Sequence, residues 1–311
     1  MTFSSKIKKE ISTVECTKAE YLSELSGIIR TNAEIKIYNI KMQTENKFVA
    51  NRIFGLFKVL YDINLNISLR KNYNFKKNEI YVLELKKDTL KVLRDTGIVN
   101  EKNEFLKIPS ESLLSDDELT RAYLRGVFLV SGSLNDPKTS RYHLEFLIND
   151  TKYAFFIKDL LNSFNLNSKI LHRRKGYMIY VKEAEKISDF LRLIRAYNGV
   201  MYYEEIRVYR EKINMTNRLN NCEQANVEKT LKTSNELIKE IEYIKEKEMY
   251  DLLDEKLKEC AEYRVKYPET SLLELSKIMT LETNSKISKS CLNHRFRKIK
   301  EFANKIKEEI N

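Results

Sequence analysis

Tyr21-Leu22-Ser23-Glu24-Leu25-Ser26-Gly27-Ile28-Ile29 and Arg121-Ala122-Tyr123-Leu124-Arg125-Gly126-Val127-Phe128-Leu129 decide the reading of this chain. Leu25 and Gly27 recur as Leu124 and Gly126, 99 positions on. A period of that length marks an internal duplication. In each copy the glycine falls inside an apolar helical pattern, where it costs roughly 1 kcal/mol against alanine. Close approach of two helix backbones explains it, because a missing Cβ lets them touch. The two copies are therefore expected to pack helix against helix across a pseudo-dyad.

The same order of segments follows in both copies. An alternating run comes first, Ile35 to Met42 and Tyr142 to Ile148. An amphipathic helix is next, Lys47 to Tyr61 and Lys152 to Phe164. Phe48, Ile53, Leu56, Phe57 and Leu60 share one face of the first, and Phe156, Leu160, Leu161 and Phe164 one face of the second. Two strand-like runs follow: Asn64 to Leu69 with Ile80 to Leu85, then Ser168 to Leu171 with Tyr177 to Val181. A closing helix spans Thr89 to Asp95, and its counterpart Glu185 to Tyr197. Each copy reads α-β-α-β-β-α. The fold class is α+β for a pseudo-twofold body over residues 1–205, with copies at about 17–100 and 117–200. A helical connector over 206–227 and an all-α C-terminal domain over 228–311 complete it.

The chain of 311 residues carries 56 Lys and Arg against 45 Asp and Glu, a net charge of +11. A basic surface concentrates polyanions, although a Lys-, Asn- and Ile-rich composition also follows from an AT-rich genome. The 3 Pro and 7 Gly fall far below the roughly 15 and 22 of average usage, so connections between domains should be helical. No apolar run reaches the roughly 18 residues of a membrane span, and Met1 to Glu10 holds no hydrophobic signal core. A cytoplasmic protein is expected. Cys16, Cys222, Cys260 and Cys291 form no C-x-x-C pair and read as free thiols. His143, His172 and His294 are scattered. Cys291 and His294 alone do not make a zinc site, which takes four ligands. Neither a metal nor a cofactor is expected.

The repeated helix resembles the motif helix of the LAGLIDADG homing endonucleases, which ends in an acidic residue. Here that position falls on Asn32 in copy one and on Ser131 in copy two. Metal sites of this kind depend on anionic oxygen ligands, and both residues are neutral. The resemblance therefore implies the fold without metal-dependent cleavage. Glu34 and Asp136 lie nearby but at unequal offsets from the helix ends.

Three further segments extend the resemblance over nearly the whole chain. They are Arg121 to Gly126 with Gly132-Ser133, Asn217 to Asn226, and Ile287-Ser288-Lys289-Ser290 with Asn293 to Ile299. In their order and spacing they are similar to the WhiA family, bacterial regulators that join a LAGLIDADG-like body to a helix-turn-helix. The resemblance implies a role in transcription control and in cell division or chromosome segregation, on nucleoid DNA.

The helix-turn-helix is expected over about 271–304. Ser271 and Glu274 form a capping box for a short helix ending near Met279. Thr280 to Lys286 then makes a turn longer than the usual three or four residues, and Ser288 caps the last helix. Leu292, Phe296, Ile299, Ala303 and Ile306 form its apolar line. Ser288, Lys289, Ser290, Asn293, His294, Arg295, Arg297 and Lys298 are the expected DNA-binding residues, with Asn293 and Arg297 suited to base edges. Secondary contacts to DNA are open at Arg70, Lys71, Lys76 and Lys77, at Arg173, Arg174 and Lys175, and at Arg207, Arg210 and Arg218. The first two groups read equally as solvated hairpin tips. The Asn-rich connector reads as a linker, a buried polar joint or a phosphate-contacting segment.

The expected partner is double-stranded DNA, bound by a monomer with internal pseudo-dimer symmetry. A protein partner on the body stays open. The alternatives from other classes are a metal-dependent LAGLIDADG homing endonuclease and a protein-interaction scaffold.

Overall fold

The computed structural model describes residues 1–36, 38–71, 79–139 and 141–310. The chain falls into two compact units, Met1–Arg210 and Glu211–Asn311. Among the described residues no helix is long and apolar enough to cross a membrane.

The first unit opens on α1 (Phe3–Ile11), capped by the Thr2 hydroxyl and buried through Phe3, Ile7 and Ile11. Copy one follows: α2 (Lys18–Asn32), β1 (Glu34–Lys36), β2 (Asn39–Thr44), α3 (Lys47–Tyr61), β3 (Asn66–Lys71), β4 (Glu79–Leu85) and α4 (Thr89–Asp95). Copy two repeats it: α5 (Asp117–Ser131), β5 (Gly132–Leu134), β6 (Leu144–Ile148), α6 (Thr151–Ser163), β7 (Lys169–Arg173), β8 (Gly176–Val181) and α7 (Ala184–Leu193). The sheets are antiparallel, in orders β1-β2-β4-β3 and β5-β6-β8-β7. The duplication seen in residues is thus also one of topology. Along β6 and β8, Leu144, Phe146, Ile148, Ile179 and Val181 turn inward and are buried, as the period-2 rule requires.

Each copy carries one short strand more than the sequence reading. The run from Ile35 to Met42 is not one strand. It doubles back, with Ile35 opposite Ile40 and Lys36 opposite Asn39. No Gly or Pro marks this turn. In copy two the chain leaves α5 directly into β5, where Ser133 pairs with Glu145.

The closing helix of copy two ends at Leu193 and does not run on to Tyr197. Arg195 takes a left-handed backbone, φ 63°. There its guanidinium meets the carboxylates of Glu20 at 2.7 Å and Glu118 at 2.5 Å. The chain then enters α8 (Tyr197–Glu246), which carries it from the first unit into the second.

The second unit adds α9 (Glu255–Lys266), α10 (Leu272–Thr283) and α11 (Lys289–Ile310). Its core joins Leu237, Ile241 and Ile244 of α8 to Ala261, Leu275, Met279, Leu292 and Phe296. Leu252 stands 72% exposed while Leu253 is buried, because a short 3-10 turn over Tyr250–Leu252 breaks the helical period there. The Asn-rich connector is helical and exposed from residue 211 to residue 229: Asn214, Asn217, Asn221 and Asn226 all face solvent. A buried polar joint is thereby corrected.

Candidate nucleic-acid interface

The capping box at Ser271 forms as expected. Glu274 N donates to Ser271 Oγ at 3.2 Å, and Ser271 N donates to Glu274 Oε2 at 2.9 Å. These bonds favour the carboxylate, and the backbone bond from Ser271 is the main cause holding the Glu274 pKa low. The helix does not stop near Met279. It runs to Thr283 and ends on Asn284 in the left-handed region, φ 52°, a common C-terminal stop. Thr280 therefore lies inside α10, where its hydroxyl accepts from Ile287 N at 3.2 Å. The turn shrinks to the five residues from Asn284 to Ser288, near the usual length.

Ser288 caps α11: its Oγ accepts from Cys291 N at 3.2 Å, and its carbonyl accepts from Leu292 N at 3.0 Å. Leu292, Phe296, Ile299, Ala303 and Ile306 are all buried. Ser288, Lys289, Ser290, Asn293, His294, Arg297 and Lys298 are all exposed. The helix thus divides into an anchoring face and a wet face rich in donors. Arg297 is braced by Glu301 one turn on, at 3.4 Å. Asn293 and Arg297 also border a groove of roughly 640 Å³ that Lys229, Leu272, Phe296 and Lys300 share. Arg295 departs from this face. It is half-buried, and its Nη1 donates to Cys260 Sγ at 3.4 Å, which places it as a brace between α9 and α11.

In the first unit the two repeated helices touch along their backbones. A Cβ on Gly27 would stand 2.6 Å from the Tyr123 carbonyl oxygen, and one on Gly126 would stand 2.1 Å from that of Glu24. Asn32 and Ser131 end their helices at equivalent places. Asn32 Oδ1 accepts from Gln43 N at 3.1 Å, and Ser131 Oγ donates to the Val127 carbonyl at 2.8 Å. Neither presents a carboxylate. Glu34 pairs with Lys36, and Asp136 accepts from the Tyr202 hydroxyl and from Lys138 N. Among the described residues no three His, Cys, Asp or Glu side chains gather to hold a metal ion.

Three family models match this chain in order: the WhiA N-terminal LAGLIDADG-like domain over residues 15–99, the WhiA LAGLIDADG-like domain over 120–212, and the WhiA C-terminal HTH domain over 216–303. Relatives called "Probable cell division protein WhiA" from Bacillus cytotoxicus and Bacillus mycoides are each 41% identical over 311 residues, covering 99% of this chain and 98% of theirs. The chain belongs to the WhiA family. A crystal structure of full-length WhiA from Thermatoga maritima matches with a TM-score of 0.60 at 25% identity, over 98% of this chain and 99% of that one. A crystal structure of the WhiA N-terminal LAGLIDADG domain matches with a TM-score of 0.52 at 26% identity, over 62% of this chain and 90% of that one.

Within this WhiA fold the described secondary basic residues lie on several elements. Arg70 is exposed on β3, and Arg173, Arg174 and Lys175 are exposed at the β7–β8 turn. Lys76 and Lys77 lie outside the described residues, as does the side chain of Lys71. Arg207 bonds Glu204 at 2.8 Å, and Arg210 donates to the Pro137 carbonyl at 2.7 Å and covers the Tyr142 ring. Arg218 is exposed on α8.

Sequence reasoning missed a buried ion cluster at the pseudo-dyad. Glu24 is fully buried and receives Arg52 through both carboxylate oxygens, at 2.7 and 2.8 Å. Arg125, also fully buried, donates to Glu24 at 2.8 Å and to Cys16 Sγ at 3.0 Å. Burial nonetheless keeps the Cys16 pKa above its ordinary value. The available signal was a charged residue, Arg125, set inside the apolar run of the second motif helix.

Proposed function

We propose that this WhiA-family protein is a sequence-specific DNA-binding regulator that reads base edges with the N-terminal half of α11 and does not cleave DNA. The observation that carries the reading is the division of α11 between an apolar line buried in its own unit and an exposed face of Lys, Asn, His and Arg. That division is what a recognition helix needs for the major groove. Asn293 and Arg297 make the base contacts, while Lys289 and Lys298 hold phosphates. Ser288, Ser290 and His294 border the contact, and Arg295 positions the helix through Cys260.

The match to the family's HTH domain supports DNA binding. The neutral Asn32 and Ser131 support the absence of cleavage, since the motif helices bring no carboxylate to their ends. The relatives' name carries the role to cell division, here through transcription control on nucleoid DNA. The protein acts there as a monomer, its symmetry internal.

The test compares an Asn293→Ala, Arg297→Ala double variant with the wild type on the preferred site and on random duplex, at two salt concentrations. Each lost base contact is expected to cost about 1–3 kcal/mol on the preferred site, so the ratio of specific to random binding collapses. An unchanged ratio in a folded double variant removes α11 as the reader. Lys298→Ala should instead weaken both duplexes alike and flatten the salt dependence.

A further inference from the structure

The outer faces of the two sheets are not equivalent. In copy one the row across β2, β4 and β3 is Gln43, Val82 and Ser68, with polar residues at both flanks. The corresponding row across β6, β8 and β7 is Leu147, Met178 and Leu171. Leu147 and Leu171 are 51% and 50% exposed, and Met178 between them is buried. They add nothing to the core, because Phe146, Ile148 and Ile179 already fill the inner face. A single exposed leucine needs no explanation, but two in register on either side of a buried methionine do.

β7 ends its sheet, paired only with β8. Its outer side chains run Lys169, Leu171, Arg173, two cations either side of an apolar residue, all exposed. Lys182, over the Tyr180 ring at 5.0 Å, adds positive charge to the same face. The carboxylate there, Glu145, is met by His143 at 3.2 Å. An added strand places its own alternate residues opposite Lys169, Leu171 and Arg173, and cross-strand pairs favour opposite charge and apolar contact. Its complement is acidic, apolar, acidic at every second residue. Duplex DNA matches this edge less well, since it offers phosphates to Leu171 as well as to the two cations.

We infer that β7 is a docking edge for an acidic, extended protein segment that adds as a fifth strand, with an apolar residue on Leu171 and carboxylates on Lys169 and Arg173. This is strand addition, in which main-chain bonds supply affinity and alternate side chains supply specificity. It is independent of the DNA reading of α11.

The test uses the full chain at about 150 mM salt, where exposed charges are screened beyond roughly 8 Å. The probe is a fluorescein-labelled peptide alternating threonine with glutamate, leucine and glutamate. Controls replace the glutamates by lysine or the leucine by serine. The glutamate–leucine peptide is expected to bind at least about tenfold tighter than either control. Leu171→Ser should weaken it about tenfold, and the Lys169→Glu, Arg173→Glu pair should reverse the preference towards the lysine peptide. Leu171→Ser should leave binding to the preferred DNA site at its wild-type level, and the charge-reversed pair should keep the wild-type ratio of preferred to random duplex, with circular dichroism confirming the fold. Equal binding of the three peptides, or no effect of Leu171→Ser, overturns the proposal. A loss of DNA binding in Leu171→Ser, which changes no charge, would make the edge a DNA contact and overturn it too. So would a change in sedimentation with Leu171→Ser, which would make the edge a contact between two copies.

Discussion

The carbonyl oxygen of Glu24 leaves no room for a methyl group on Gly126, where a Cβ would stand 2.1 Å away. Neither backbone can yield, because each belongs to a helix buried in the unit's core. Gly126→Ala is expected to cost about 2–4 kcal/mol through overpacking. Gly55 makes the opposite case. It lies inside α3, and its Cβ would meet nothing within 4 Å. There Gly55→Ala should stabilise by up to about 1 kcal/mol, the helix propensity difference. Urea midpoints of the first unit's unfolding transition decide both, and the sign should differ between two identical substitutions. Sequence alone showed that Gly27 and Gly126 serve close approach, because both recur at one place in a duplicated pattern. It did not show which carbonyl each glycine faces, which depends on the offset between two helices.

Helices α2, α3 and α5 meet at Glu24, the single carboxylate that Arg52 and Arg125 share. Glu24→Gln removes the charge and keeps the shape, leaving two guanidinium groups in the interior with no counter-ion. The expected cost is about 3–5 kcal/mol, the range for breaking a buried ion pair from one side. The first unit's melting midpoint reads it, and a midpoint unchanged in Glu24→Gln would mean that water reaches the cluster. At this scale the sequence was legible where a period repeats and silent where tertiary partners decide. The bounds of α3 and α4 followed from apolar spacing. The stop of α7 at Leu193 did not, because the reversal at Arg195 depends on Glu20 and Glu118, far away in sequence. The hairpin at β1–β2 was hidden by its lack of turn residues. The end of α10 was misplaced because Thr280 resembles a turn residue, whereas its hydroxyl is spent on the Ile287 backbone. The wet face of α11 was legible because its apolar line keeps a strict spacing. The departure of Arg295 towards Cys260 was not, since both faces of an amphipathic helix carry Arg in a basic sequence.

Net charge is divided unevenly over the whole molecule. Residues 211–311 hold 20 Lys and Arg against 19 Asp and Glu, so ten of the eleven net positive charges lie in residues 1–210. The apolar cores are separate as well, one built from residues between Phe3 and Tyr203 and the other from residues between Leu237 and Ile306. A cut at Glu211 falls in the exposed stretch of α8 and removes nothing from either core. The first fragment, 1–210, should then bind random duplex at low salt with a steep salt dependence and without sequence preference, because counterion release follows net positive charge. The second fragment, 211–311, is almost neutral overall but keeps Asn293 and Arg297 on α11. It should bind more weakly than the full chain while retaining the full ratio between the preferred site and random duplex, and its salt slope should be shallower. Titrating both fragments against both duplexes at 50 and 200 mM salt separates the two contributions. If the preference instead travels with residues 1–210, sequence is read by the duplicated body, and the exposed face of α11 serves only to hold phosphate.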